Sequence, residues 1–274
     1  MNRRTVFFVS DQTGITAETL GRSLLTQFDA LDFRQVTLPF ISTEDKAMEA
    51  VRRIKLTAQV EGRRPVVFAT FASGELGDLI RQSGALFLDF FDAFIEPLEK
   101  EFETRSSHTI GRTHGVSGDE SYQRRIDAMN FALSTDDGTG MRSYEEAEVI
   151  LIGVSRTGKT PTCIYLALHY GVYAANYPLT DEDFEMSGLP KTVQRYRNKL
   201  FGLTIDADQL RRIREERRPD SRYASMQQIN FELRESMAMF RRNGISYADT
   251  TDSSIEEISS TILDTMEIDR ADRR

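Results

Sequence analysis

Tryptophan is absent from the 274 residues, cysteine occurs once, as Cys163, and histidine occurs three times. One cysteine excludes an intramolecular disulfide framework, and with three scattered histidines it leaves no zinc-cluster spacing. No window of about 20 residues is continuously apolar, so the sequence predicts no membrane span. The opening MNRRTVFFVSDQTG pairs two arginines with an apolar run, but Asp11 interrupts that run and no small-residue cleavage pattern follows. It reads as a first buried strand, and the cytoplasm is the expected location. A formal charge of −8 gives no general electrostatic reason to bind nucleic acid, and no RNA-binding aromatic signature accompanies the short basic patches.

What is present is an ordinary globular composition, 39% hydrophobic and 28% charged, in a chain long enough for one large domain or two modest ones. Apolar runs at residues 5–9, 35–41, 65–71 and 86–88 alternate with helical periodicity at 15–28, 43–59 and 74–84, the signature of a parallel α/β unit. Residues 99–122 turn polar and glycine-rich, which reads as linker. The expected organisation is an N-terminal α/β lobe over 1–105 and a second α/β lobe over 106–274, a P-loop-containing, kinase-like domain. In that lobe a helix is predicted near 121–133, strands near 147–153, 172–177 and 199–205, and helices over 160–170, 206–218 and 221–242. Ser254 followed by Glu257 fits an N-terminal capping box.

Gly153-Val-Ser-Arg-Thr-Gly-Lys-Thr160 is a complete G-x-x-x-x-G-K-[ST] motif between a predicted strand and a predicted helix. Chance produces such a match in a chain of this length at roughly the 1% level. Backbone N–H groups from Gly153, Val154, Ser155, Arg156, Thr157 and Gly158 are expected to cradle phosphate oxygens, aided by the helix N-terminus. Lys159 is expected to neutralise the transferred phosphoryl group, and the Thr160 hydroxyl to coordinate magnesium. Chemistry needs further groups. Asp11 follows the first strand where α/β units present functional loops. Asp136 and Asp137 precede a glycine turn, and His114 sits in a glycine-bracketed polar loop. Asp89 is a Walker-B-like acid after residues 86–88, for which helix capping is the simpler reading. Cys163 reads as a buried small hydrophobe, His169 as packing or capping, and the arginine-rich 211–222 interval as a solvated helix surface.

The stretches Ser10-Asp-Gln-Thr-Gly-Ile-Thr-Ala-Glu18, Gly111-Arg-Thr-His-Gly115, Ile152-Gly-Val-Ser-Arg-Thr-Gly-Lys-Thr-Pro-Thr162, Ala175-Asn-Tyr-Pro-Leu179 and Lys199-Leu-Phe-Gly-Leu-Thr-Ile-Asp206 together resemble the pyruvate, phosphate dikinase regulatory family. The resemblance runs through nearly the whole chain. Gln12 departs from the S-D-G-T-G or S-D-S-T-G of many relatives. The resemblance implies a bifunctional enzyme: a serine/threonine kinase that uses ADP to phosphorylate a threonine of phosphoenolpyruvate synthase, and a phosphorylase that uses inorganic phosphate to remove that group as pyrophosphate. On this reading the phosphate loop holds ADP and magnesium, while Asp11, His114 and Asp137 are the expected reaction residues. The competing expectations are a nucleotide-dependent noncovalent regulator and a P-loop kinase of a small metabolite. The sequence leaves the oligomeric state open, a homo-oligomer included.

Overall fold

The computed structural model describes residues 3–28, 30–72, 74–107, 119–136, 141–185 and 188–269. The chain divides into two compact units, residues 1–115 and 116–274. In the first, β1 (Arg3–Ser10), β2 (Asp32–Leu38), β3 (Val66–Thr70) and β4 (Leu86–Asp89) alternate with α1 (Ile15–Leu25), α2 (Glu44–Glu61), α3 (Gly74–Arg81) and α4 (Phe90–Glu101). All pairings are parallel, in the order β2-β1-β3-β4. Parallel strands covered on both faces need side chains that are apolar in both directions. Phe7, Val9, Val67 and Ala69 accordingly pack with Ala47, Val51, Ile54 and Ile80, while Val6, Phe8 and Phe68 pack with Ala17. Strand β2 ends one residue before Pro39, which has no ladder donor.

The second unit opens with α5 (Asp119–Ser134), β5 (Val149–Gly153), α6 (Lys159–Tyr170) and β6 (Ala174–Pro178). It continues through the short helices α7 (Asp181–Phe184) and α8 (Lys191–Gln194), then β7 (Leu200–Thr204), α9 (Ala207–Arg217), α10 (Met226–Asn243), β8 (Tyr247–Asp249) and α11 (Ile255–Thr265). Its sheet is again wholly parallel, ordered β6-β5-β7-β8. Val149, Leu151, Phe201 and Leu203 face Ala128, Leu166, Ile258 and Ile262 from α5, α6 and α11. Ile150, Ile152 and Leu200 face Val193, Met239 and Phe240 on the opposite side. Ser254 and Glu257 form the expected reciprocal capping box at α11.

Three sequence expectations are corrected, and the simpler reading of a fourth, Asp89, holds. Residues 99–122 are not all linker, because α4 runs to Glu101 and α5 begins at Asp119. Helix α10 starts at Met226, with a 3₁₀ turn at Arg222–Ala224, because the Ser225 side chain accepts from Gln228 N and caps it there. Strand β8 is additional to the expected set. Asp89 is the N-cap of α4, its carboxylate accepting from the backbone N–H groups of Phe91 and Asp92, so it is occupied in capping. Among the described residues, no helix is long and apolar enough to cross a membrane.

Candidate functional site

Strand β5 lies between β6 and β7, and the chain leaves it toward β6 before returning to β7 on its other side. This reversal of strand order opens a crevice at the carboxyl end of the switch strand, where doubly wound folds bind ligands. The phosphate-loop motif occupies that position. Gly153 closes β5 against the Leu203 carbonyl, where a Cβ would collide. Gly158 is the N-cap of α6 at φ 85°, a left-handed conformation that glycine adopts without steric cost. Pro161 falls in the first turn of α6, where its missing N–H breaks no helical bond.

The loop is held from below. Val154 is fully buried with Ile205, Leu210 and Ile229. Thr157, also fully buried, donates through Oγ1 to the Val154 carbonyl at 3.0 Å. Lys159 is 5% exposed, and its Nζ donates to the same carbonyl at 2.9 Å. The Ser155 hydroxyl meets the Tyr223 hydroxyl at 2.9 Å, and the Ser155 carbonyl accepts from Arg214 Nη2 at 3.1 Å. Arg156 takes φ 75°, unusual for a side-chain-bearing residue, and its Nε is buried without a partner among the described residues. Ser155, Arg156, Gly158, Lys159, Thr160 and Pro161 line a cleft of about 240 Å³. Lys159 places a cation at this helix N-terminus, so an anion meets both a positive charge and converging backbone donors.

Arg214 corrects the reading of the 211–222 interval as a solvated surface. It is 0% exposed, pairs with Glu232 at 2.6 Å, donates to the Tyr223 carbonyl at 3.0 Å and stacks on the Tyr223 ring. One buried guanidinium therefore ties α9, α10 and the 3₁₀ turn to the phosphate loop. Nothing in the charged run marks Arg214 as different from Arg211 or Arg212; only the i, i+4 spacing from buried Leu210 places it on the inward face of α9.

Thr160 donates through Oγ1 to Asp136 Oδ1 at 2.7 Å, and Asn176 Nδ2 hydrogen-bonds both Asp136 and Thr160. Asp136 is thus a carboxylate beside the loop. Asp137 and His114 lie outside the described residues, as does His108. Cys163 is buried and free, and burial pushes its thiol up, against thiolate chemistry. His169 stacks on Tyr165 with ring centroids 4.1 Å apart.

Asp11 belongs to the first unit, where it follows β1 at the equivalent switch point between β1 and β3. It is 4% exposed and accepts from Ala72 N at 2.9 Å through Oδ2. Burial raises its pKa above the ordinary 3.8, against the opposing effect of the Ala72 hydrogen bond. Gly14, at φ 78°, then caps α1 as Gly158 caps α6.

Two doubly wound parallel units, one carrying a complete phosphate-loop motif after its switch strand, define the class: an α/β protein with that motif at a sheet switch point. The chain belongs to the kinase/pyrophosphorylase family, whose model matches residues 6–263. It is 51% identical over 261 residues to a protein of Hahella chejuensis, covering 95% of this chain and 96% of the relative. A protein of Halorhodospira halophila is 54% identical over 261 residues, with 95% of each chain covered. One of Pseudomonas aeruginosa is 50% identical with the same coverage. All three bear the name "Putative phosphoenolpyruvate synthase regulatory protein". Family membership supports an activity of phosphotransferase type.

Proposed function

We propose that this chain is a cytoplasmic bifunctional regulator of phosphoenolpyruvate synthase, an ADP-dependent serine/threonine kinase and a phosphate-dependent phosphorylase. The observation that carries the reading is the phosphate loop at the β5 switch point, with Lys159 and Thr160 in place, in a member of the kinase/pyrophosphorylase family. The names of the relatives supply the target.

In the kinase direction the threonine hydroxyl oxygen of the target attacks the β-phosphorus of ADP. The bond from that phosphorus to the bridging oxygen breaks, AMP leaves, and the hydroxyl proton passes to a base. Loop N–H groups and Lys159 hold the phosphates and neutralise the charge spread over the transferring group. Thr160 is the residue that would hold magnesium, which would supply further neutralisation when bound. In the opposite direction an oxygen of inorganic phosphate attacks the phosphothreonine phosphorus. The threonine oxygen departs with a proton from an acid, and pyrophosphate forms. Asp11, His114 and Asp137 are the groups proposed for proton transfer. The raised proton affinity of Asp11 is in the direction a general base requires.

The test is intact-mass analysis of phosphoenolpyruvate synthase in its histidyl-phosphorylated form, incubated with this protein, magnesium and ADP, then with phosphate after ADP removal. One added threonyl phosphate with AMP release, followed by its phosphate-dependent loss as pyrophosphate, is the expected result. Altered synthase activity at unchanged mass points instead to a noncovalent regulator. Phosphorylation of a small metabolite without the synthase points to a metabolite kinase.

A further inference from the structure

We propose that Asp136 and Thr160 form a divalent-cation site of the magnesium class, with Asp136 as its anchoring carboxylate and Asn176, whose amide nitrogen hydrogen-bonds both, as the residue that positions them. The proposal rests on the phosphate-loop reading and names residues that the motif does not. The three side chains come from three separate places: the segment just after α5, the first turn of α6, and β6 beside the switch strand. They converge on one point. The Thr160 hydroxyl and the Asn176 amide both hydrogen-bond Asp136 Oδ1, and the amide nitrogen also lies 3.2 Å from Thr160 Oγ1.

Two observations separate a cation site from a merely structural triad. The first is electrostatic. Thr160 lines the anion cleft, and Asp136 sits at hydrogen-bond distance from it. A carboxylate in that position repels phosphate, and at a few ångströms in a partly buried setting the repulsion is on the order of several kcal/mol. A divalent ion bridging carboxylate and phosphate reverses the sign. The second is an unmet hydrogen-bonding need. Asn176 is 1% exposed, and its Oδ1 has no partner among the described residues. A buried acceptor left unpaired costs about 1–3 kcal/mol, and a water in a metal's hydration shell is a donor that can meet it.

The donor chemistry selects the ion. The Thr160 hydroxyl and Asp136 carboxylate oxygens are hard donors, with no thiolate or imidazole ligand beside them among the described residues, which favours magnesium or manganese over zinc or copper. Magnesium also retains several waters and takes only one or two protein ligands, so this small set is sufficient once phosphate oxygens join it. Helix α5, which leads into Asp136, packs on α6 through Ala128, Ala132, Cys163 and Leu166.

The experiment titrates the full-length protein with Mn²⁺, following free Mn²⁺ by electron paramagnetic resonance with and without ADP. Parallel calorimetry measures ADP binding in EDTA. Asp136→Asn and Thr160→Val are compared with wild type, each checked for native far-UV circular dichroism. The expected result is a loss of at least about tenfold in Mn²⁺ affinity for both variants. In EDTA, Asp136→Asn should bind ADP at least as tightly as wild type, because a repelling charge has gone. Wild-type Mn²⁺ affinity in folded Asp136→Asn overturns the assignment, as does its loss only in Thr160→Val. Absence of ADP binding by wild type in both EDTA and Mn²⁺ overturns instead the phosphate-loop reading beneath it.

Discussion

Lys159 concentrates the chemistry of the loop in one side chain. Its ammonium is 5% exposed and lies against the Val154 carbonyl, so it is already desolvated where a phosphate would lie. Lys159→Ala removes one preorganised donor, and losses for such a deletion run to about 10²–10³ in turnover. We expect a drop of that size in ADP-dependent transfer, with thermal stability near wild type. A variant that transfers at the wild-type rate with ADP and target saturating would remove Lys159 from the mechanism. Asp11 offers a test through pH. Its carboxyl is raised above 3.8 by burial, so between that ordinary value and the raised one the folded chain keeps a proton that the unfolded chain has released. Stability therefore falls as pH rises across this window and remains at the lower level above it. Asp11→Asn keeps an oxygen for Ala72 N and removes the penalty of burying a charge. Its melting temperature should exceed wild type at pH 7, with the gap narrowing toward pH 4. A gap that is independent of pH would show that the carboxylate carries no such penalty.

At the scale of elements, Arg214 is the tie between α9, α10 and the phosphate loop. It is fully buried and Glu232 is 12% exposed, so truncating either leaves an uncompensated charge in a poorly solvated place. Arg214→Ala should cost about 3–5 kcal/mol in urea unfolding, and ADP affinity should fall with it because the Ser155 carbonyl loses its donor. A cost below about 1 kcal/mol would place the pair among those worth little to stability. Such ties are where sequence reading stops. Seven strands were legible because β1, β3, β5 and their neighbours are largely apolar runs bounded by turn residues. Strand β8, three residues long, has too little pattern to read, and the apolar run from Leu86 to Phe91 does not show that strand gives way to helix at Asp89. The strand and the helix that bracket the phosphate-loop motif were legible, since the motif falls between an apolar run and a helical period. The bond from Thr160 to Asp136 was not legible, because it depends on how the chain leaves α5 and not on any spacing in the motif.

For the chain as a whole, the two units repeat one plan. Each has four parallel strands in which the first lies between the second and the third, and each has a left-handed glycine at the N-cap of the helix after that first strand. The loops even share a pattern, Thr13-Gly14-Ile15-Thr16 against Thr157-Gly158-Lys159-Thr160. Isoleucine stands where the second unit has its lysine, so the first loop lacks the cation that nucleotide phosphates need, and it places the buried Asp11 there instead. The proposed nucleotide site is therefore placed in the second unit. Ile54, 0% exposed in the core under β1 and β3, and Ile150, 0% exposed in the core under β5, are matched probes of this division. Ile54→Ala should cost about 2–5 kcal/mol in the first unit, from lost burial and a residual cavity. Since Ile54 shares no core partner with the phosphate loop, calorimetric ADP affinity should stay within about twofold of wild type. Ile150→Ala carries the same local cost beneath the strand that feeds the loop, and should weaken ADP binding. Equal loss of ADP binding in both variants would mean that the two cores fold and open as one cooperative body, with the nucleotide site dependent on each.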